Sequence, residues 1–342
     1  MRKALLVFFL VCGLAATAGS QSTILLNAAG ATFPYPIYSK WFDVYHQAHP
    51  NIQINYQSIG SGGGIRQLMA GTVDFGASDG PMTDDQIKQF KMKTGANVLH
   101  FPTVIGAVVL TYNVKGVSTD LAFTEKAIAG IYEGSISKWN DPEIAKANPS
   151  VKLPNDDIVV IHRSDGSGTS YIFTDFLSKA SDSWKNKVGT GTSVNWPVGL
   201  GGKGNEGVTG LVKQTPGAIG YVELIYAMQN NIPYATVQNA SGKFLKADLG
   251  GVTAAAAAAG KSMPDDFRVS ITNAPGAAAY PICSFTWLLI PDQIKDPAKR
   301  DAIKGFLKWA LTDGQSYTQQ LSYGQLPKLV VTKELKAIAL IH

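Results

Sequence analysis

Disulfides cannot organise this chain, because its 342 residues contain only two cysteines, Cys12 and Cys283. A fold of this length must therefore stand on its buried core. Charge is sparse too: 16% of residues are Asp, Glu, Lys or Arg, and the net +5 contains no Lys/Arg block. That pattern lacks the basic footprint of a nucleic-acid partner. Only one stretch near the start is continuously apolar, which excludes a multi-span membrane protein. The five histidines (His46, His49, His100, His162 and His342) form no HExxH and join no cysteine pair, so no metal site is indicated. Glycine, at 35 residues, is too irregular for a collagen repeat. With 45% hydrophobic residues a disordered chain is also excluded. What remains is a globular protein of about two domains.

The start has the order of an export signal. Arg2 and Lys3 precede an apolar run over 4–14, followed by Ala16-Thr17-Ala18. The run falls short of the roughly 20 residues a membrane span needs, so cleavage near Ala18 is expected. Cys12 follows the bulky Val11 and lies inside the apolar run, which sets aside an acylated lipoprotein. Cys283 opens the apolar segment 283–290 and reads as a small buried hydrophobe rather than a nucleophile.

Strand-like and helix-like segments alternate, which predicts an α/β architecture with mostly parallel sheets. Strands are expected at 51–58, 73–78, 103–112, 157–162, 218–224 and 284–290. Helical spacing appears over 33–45 (Ile37, Trp41, Val44, Tyr45), at Ile65-Leu68-Met69, at Ile172-Phe176-Leu177 and over 303–311. Six alanines at 254–259 behind Thr253 suggest a helix starting there, with Gly250-Gly251 as a surface connection.

Three glycine- and hydroxyl-rich turns each follow a strand and lead into a helix. They are Ala29-Gly30-Ala31-Thr32-Phe33-Pro34, Ile59-Gly60-Ser61-Gly62-Gly63-Gly64 and Arg163-Ser164-Asp165-Gly166-Ser167-Gly168-Thr169-Ser170. Thr32 is a candidate cap, with Pro34 in the first turn. Helix N-termini leave N–H groups unpaired, glycine allows close approach and Ser/Thr add hydroxyl donors, so the set points to a small oxyanion. Gly199-Leu200-Gly201-Gly202-Lys203-Gly204 fits G-x-G-x-x-G, but no clear strand precedes it and no helix pattern opens at Gly204. It reads as a structural or surface loop. Gly166-Ser167-Gly168 lacks the G-x-S-x-G spacing of a hydrolase nucleophile, although His162 and Asp165 lie nearby.

Together with 73–79, Phe101-Pro102-Thr103-Val104, 196–205 and 216–223, these turns resemble the periplasmic phosphate-binding proteins of phosphate-specific ABC transporters. Ser164, Gly80 and the extra Gly63-Gly64 depart from the pattern, and 242–279 matches least. The resemblance implies a two-lobed binding-protein fold with the ligand cleft between the lobes. Lobe I would hold 19–103 and 281–342, and lobe II 104–280. Phosphate-binding roles fall on Ala31, Thr32, Phe33, Ser61, Asp79, Arg163, Ser167, Gly168 and Thr169, with Asp165 supporting Arg163. Thr32, Ser61, Ser167 and Thr169 would each donate through backbone and hydroxyl.

An ionised Asp79 only accepts hydrogen bonds, so it suits an anion that still carries a proton and repels sulfate or molybdate. Without the resemblance it reads as a solvated turn residue. The implied protein is a periplasmic monomer that uses no cofactor, metal or catalytic residue. It takes inorganic phosphate, delivers it to membrane permease subunits, and binds no nucleic acid. The alternatives are a secreted phosphatase and a binder of another tetrahedral oxyanion such as arsenate.

Overall fold

A computed structural model describes residues 23–342 apart from 118, with the side chains at 258 and 260–262 left aside. The expected export signal and Cys12 lie outside the described residues. In chain order the strands are β1 (Ile24–Gly30), β2 (Ile52–Ser58), β3 (Phe75–Ser78), β4 (Val98–Asn113), β5 (Ala122–Phe123) and β6 (Val159–Arg163). There follow β7 (Leu200–Gly202), β8 (Ala218–Glu223), β9 (Thr236–Gln238), β10 (Phe244–Lys246) and β11 (Cys283–Pro291). The large sheet runs β2-β1-β3-β11-β4-β8-β6-β7, and a small one runs β10-β9-β5.

The α/β expectation holds, with a difference in strand direction. Both flanks of the large sheet are parallel, β2-β1-β3 on one side and β8-β6-β7 on the other. The strands between them pair antiparallel. The long β4 causes this. Its first part pairs with β11 as far as Ala107, and from Val108 it pairs with β8. One buried apolar strand thus serves both flanks, and each flank carries its own helices, giving a two-lobed molecule in which lobe I denotes the β2-β1-β3 flank and lobe II the β8-β6-β7 flank. Pro102 cannot donate to a ladder, and the register shifts beside it between Thr286 and Trp287.

Three local expectations need correction. Thr32 does not cap the first helix, which spans Tyr35–Ala48 with Pro34 at its N-cap; its hydroxyl is engaged by Asn205 instead. The alanine-rich helix spans Leu249–Ser262 and is capped by Asp248, whose carboxylate accepts from Gly251 N at 2.7 Å. Gly250-Gly251 therefore belongs to its first turn. The glycine motif is no loop: Leu200–Gly202 pairs parallel with β6, and a helix runs Gly204–Gln214 straight after it. Glycines at 204, 207 and 210 hide that helix from a propensity reading, while Val208 and Val212 bury its inner face. Cys283 is fully buried, as expected.

Candidate anion-binding site

The first two turns form one rim, supplied by lobe I. The N-terminus of the Ser61–Ala70 helix packs directly on the ends of β1 and β3, because Gly64 has no side chain. A Cβ there would lie 2.5 Å from Ala29 O and the Gly30 Cα. Ser61 is thereby carried to the end of β3, where its hydroxyl accepts from Asp79 N at 3.1 Å. Thr32 sits at the end of β1, beside Asn205 of lobe II.

The third turn forms the opposite rim. Ser167 caps the Gly168–Ala180 helix, its hydroxyl accepting from Ser170 N at 3.0 Å. Tyr221 Oη accepts from Arg163 N at 3.1 Å and shares a hydrogen bond with Ser170 Oγ at 2.6 Å, locking the strand end to that helix. Arg163 is held from behind: Nε and Nη2 donate to the two Asp165 oxygens at 2.8 and 2.6 Å, and Nη1 donates to Thr169 Oγ1 at 3.2 Å. A guanidinium has five N–H donors, so one hydrogen on each Nη is left over. Burial works to raise the pKa of Asp165, but Arg163 and the Gly204 N–H together bring it below the usual carboxylate range. The pair stays ionic.

The rims touch. Gly62 N donates to Gly166 O at 2.9 Å, and Tyr226 Oη donates to Thr32 O at 2.6 Å. A Cβ on Gly168 would lie 2.5 Å from both Asp79 Oδ2 and Ser61 Oγ, so the two lobes meet at a glycine. Thr32, Ser61, Asp79, Arg163, Ser167 and Thr169 are all at most 3% exposed.

Asp79 is, among the described residues, the one acidic group facing these donors on the lobe I rim. Thr286 Oγ1 donates to its Oδ1 at 2.8 Å. Burial raises its pKa to about 7, against the opposing pull of the Thr286 hydroxyl, the Arg163 charge and Ser61. Near neutral pH the group thus sits between acceptor and proton donor, which the residue type alone does not reveal.

The backbone N–H groups of Thr32, Phe33, Ser61, Gly168 and Thr169 meet no acceptor among the described residues. Two of the residues named from sequence differ. Ala31 N donates to Ala77 O at 3.0 Å, and Ser167 N donates to Thr192 O at 2.7 Å. Neither N–H is free for a ligand, which leaves Ser167 its hydroxyl alone. Sequence reading gave no role to Asn205, Thr286, Tyr221, Tyr226 or Glu223. Asn205 closes the motif 196–205, and Tyr221 and Glu223 fall in 216–223; their places in those motifs are the available signals.

The matching family model is the PBP superfamily domain, over residues 15–314. A phosphate-binding protein PstS from Xylella fastidiosa is 45% identical over 322 residues, covering 94% of this chain and 86% of that protein. PstS from Methanocaldococcus jannaschii is 40% identical, covering 94% and 87%. This chain belongs to the PstS family. Solved structures share its two-lobed fold. A high-affinity periplasmic phosphate-binding protein, determined with phosphate bound, superposes with a TM-score of 0.71 at 19% identity. The match covers 91% of this PstS-family chain and 93% of that one. A phosphate-binding protein from Stenotrophomonas maltophilia gives a TM-score of 0.70 at 18% identity, covering 92% and 94%.

Proposed function

We propose that this PstS-family protein binds inorganic phosphate outside the cytoplasm and delivers it to the permease subunits of an ABC-type importer. One observation carries the reading. Donors from three separate strand-to-helix turns converge from both lobes on the Arg163 fork, and Asp79 is the carboxylate acceptor set against them. Such a set fits a compact anion with oxygens on every side and one remaining proton. Thr32, Phe33, Ser61, Arg163, Ser167, Gly168 and Thr169 are assigned as donors, Asp79 as acceptor and Asp165 as the brace behind Arg163.

Lobe I takes 19–103 and 281–342, and lobe II takes 104–280. Closure runs about the strands that join them, supported by the change of partner along β4 between Ala107 and Val108. The exported form is a monomer cleaved near Ala18. The ligand leaves unchanged, so the phosphatase reading is not favoured; the relatives are named as binding proteins. Arsenate shares phosphate's shape and protonation and is the remaining alternative.

Calorimetric titration with phosphate, arsenate, sulfate and molybdate tests this. Tight binding of phosphate with weak binding of sulfate and molybdate is expected. No phosphate binding, or turnover of a chromogenic phosphate ester, contradicts it.

A further inference from the structure

We infer that Asn205 is a positioning residue that fixes both threonine hydroxyls of the site as donors and so leaves Asp79 as the acceptor. This deepens the phosphate reading and rests on it. Asn205 sits at the start of the Gly204–Gln214 helix, between the rims. Its Oδ1 accepts from Glu223 N at 2.9 Å. A backbone N–H can only donate, so the amide is oriented with Nδ2 toward the site. Nδ2 donates to Thr32 Oγ1 at 2.8 Å and to Thr169 Oγ1 at 3.1 Å, one residue from each lobe.

A hydroxyl oxygen has two lone pairs. Both lone pairs of Thr32 Oγ1 are taken by Asn205, through Nδ2 and through its backbone N–H at 3.2 Å. Those of Thr169 Oγ1 are taken by Asn205 Nδ2 and by Arg163 Nη1 at 3.2 Å. Each hydroxyl then has only its own proton to offer a ligand. Were the amide turned round, both threonines would donate inward and present lone pairs to the anion.

The test is calorimetry with inorganic phosphate on the mature chain. Absence of binding by the wild type defeats the phosphate reading itself; the inference is judged once the wild type binds. Asn205→Ala is expected to weaken binding about tenfold or more. In a Thr32→Val/Thr169→Val background the same change is expected to matter less than about threefold, because its targets are gone.

Asn205→Asp offers lone pairs where Nδ2 offered protons and turns both hydroxyls inward. Its loss should be larger at about pH 8 than at about pH 6, where a more protonated phosphate can donate to the freed threonine oxygens. Asp79, Arg163, Asp165, Glu206 and Glu223 surround the site in every variant, so the readout is the difference between the Asp and Ala profiles rather than either profile alone. An equal loss in both backgrounds, or one pH profile shared by the Asp and Ala variants, overturns the inference. Should the variants fail to fold, neutron diffraction of the wild-type phosphate complex decides. Hydroxyl deuterons on the ligand side uphold the assignment, and deuterons aimed at Asn205 overturn it.

Discussion

The two rims of the cleft are built from the same parts and carry opposite charge. Each presents a glycine-rich turn, a helix N-terminus and serine or threonine hydroxyls. Lobe II adds Arg163, pinned by Asp165, and lobe I adds Asp79, pinned by Thr286 and Ser61. The shared parts supply uncharged donors that suit any small oxyanion. On the proposed reading the difference divides the work: the lobe II rim attracts negative charge, and the lobe I rim asks whether the anion still holds a proton. Closure brings the question to the ligand, since Asp79 lies against Gly168 of the other lobe.

Removing the attraction should have the largest effect. Arg163→Ala deletes two charge-assisted donors and leaves Asp165 without its partner. Phosphate affinity is expected to fall by roughly a hundredfold or more, at about 1.5–3 kcal/mol per bond, with the fold retained. Calorimetry with a thermal melt as control checks this.

Next comes the contact between the rims. Gly168→Ala would place a methyl 2.5 Å from Asp79 Oδ2 and Ser61 Oγ. The lobes should then close incompletely, weakening binding about tenfold or more while each lobe stays folded. Scattering with and without phosphate would register the lost compaction.

The lobe I rim can be altered without changing shape. Asp79→Asn removes the ionised acceptor, and the preference for phosphate over sulfate should narrow by about tenfold. In the wild type, acid should act in the same direction. Asp79 has a pKa of about 7, so below that value it carries a proton and can donate to sulfate. Competition titrations should show sulfate displacing phosphate more effectively as the pH falls, and less as it rises.

The smallest effect on binding is expected away from both rims. Glu334 is fully buried, and neither of its oxygens has a hydrogen-bond partner among the described residues. Burial raises its pKa well above the usual range. A raised acid pKa means that its contribution to stability is present below the unfolded value and lost as pH climbs toward the folded one. Glu334→Leu should stabilise the protein at neutral pH by about 1–3 kcal/mol and leave phosphate affinity unchanged. Chemical denaturation measures the first and calorimetry the second.

How much of this was legible in the sequence follows from the range of each interaction. Thr32, Ser61, Arg163, Ser167 and Thr169 lie in short turns whose local chemistry already suggests an anion, whereas Asp79 enters only through the family resemblance. Arg163 and Asp165 are two residues apart, so their pairing is local as well. Asn205 acts on Thr32 from 173 residues away, Tyr226 from 194, and Thr286 reaches Asp79 across 207. Nothing near those residues announces their partners; only the assembled sheet does. The glycine motif at 199–204 hides its strand for a related reason. Its strand is three residues long and exists by pairing with β6. Ala31 and Ser167 show the converse, because their N–H groups are claimed by Ala77 and Thr192, which no turn pattern reveals.

A crystal structure of the mature protein grown with phosphate tests the central claim most directly. One tetrahedral anion should touch Thr32, Ser61 and Asp79 from one lobe and Arg163, Ser167 and Thr169 from the other, with Asp79 within hydrogen-bond distance of a ligand oxygen. An anion held by one lobe alone, or seated away from Asp79, would contradict it.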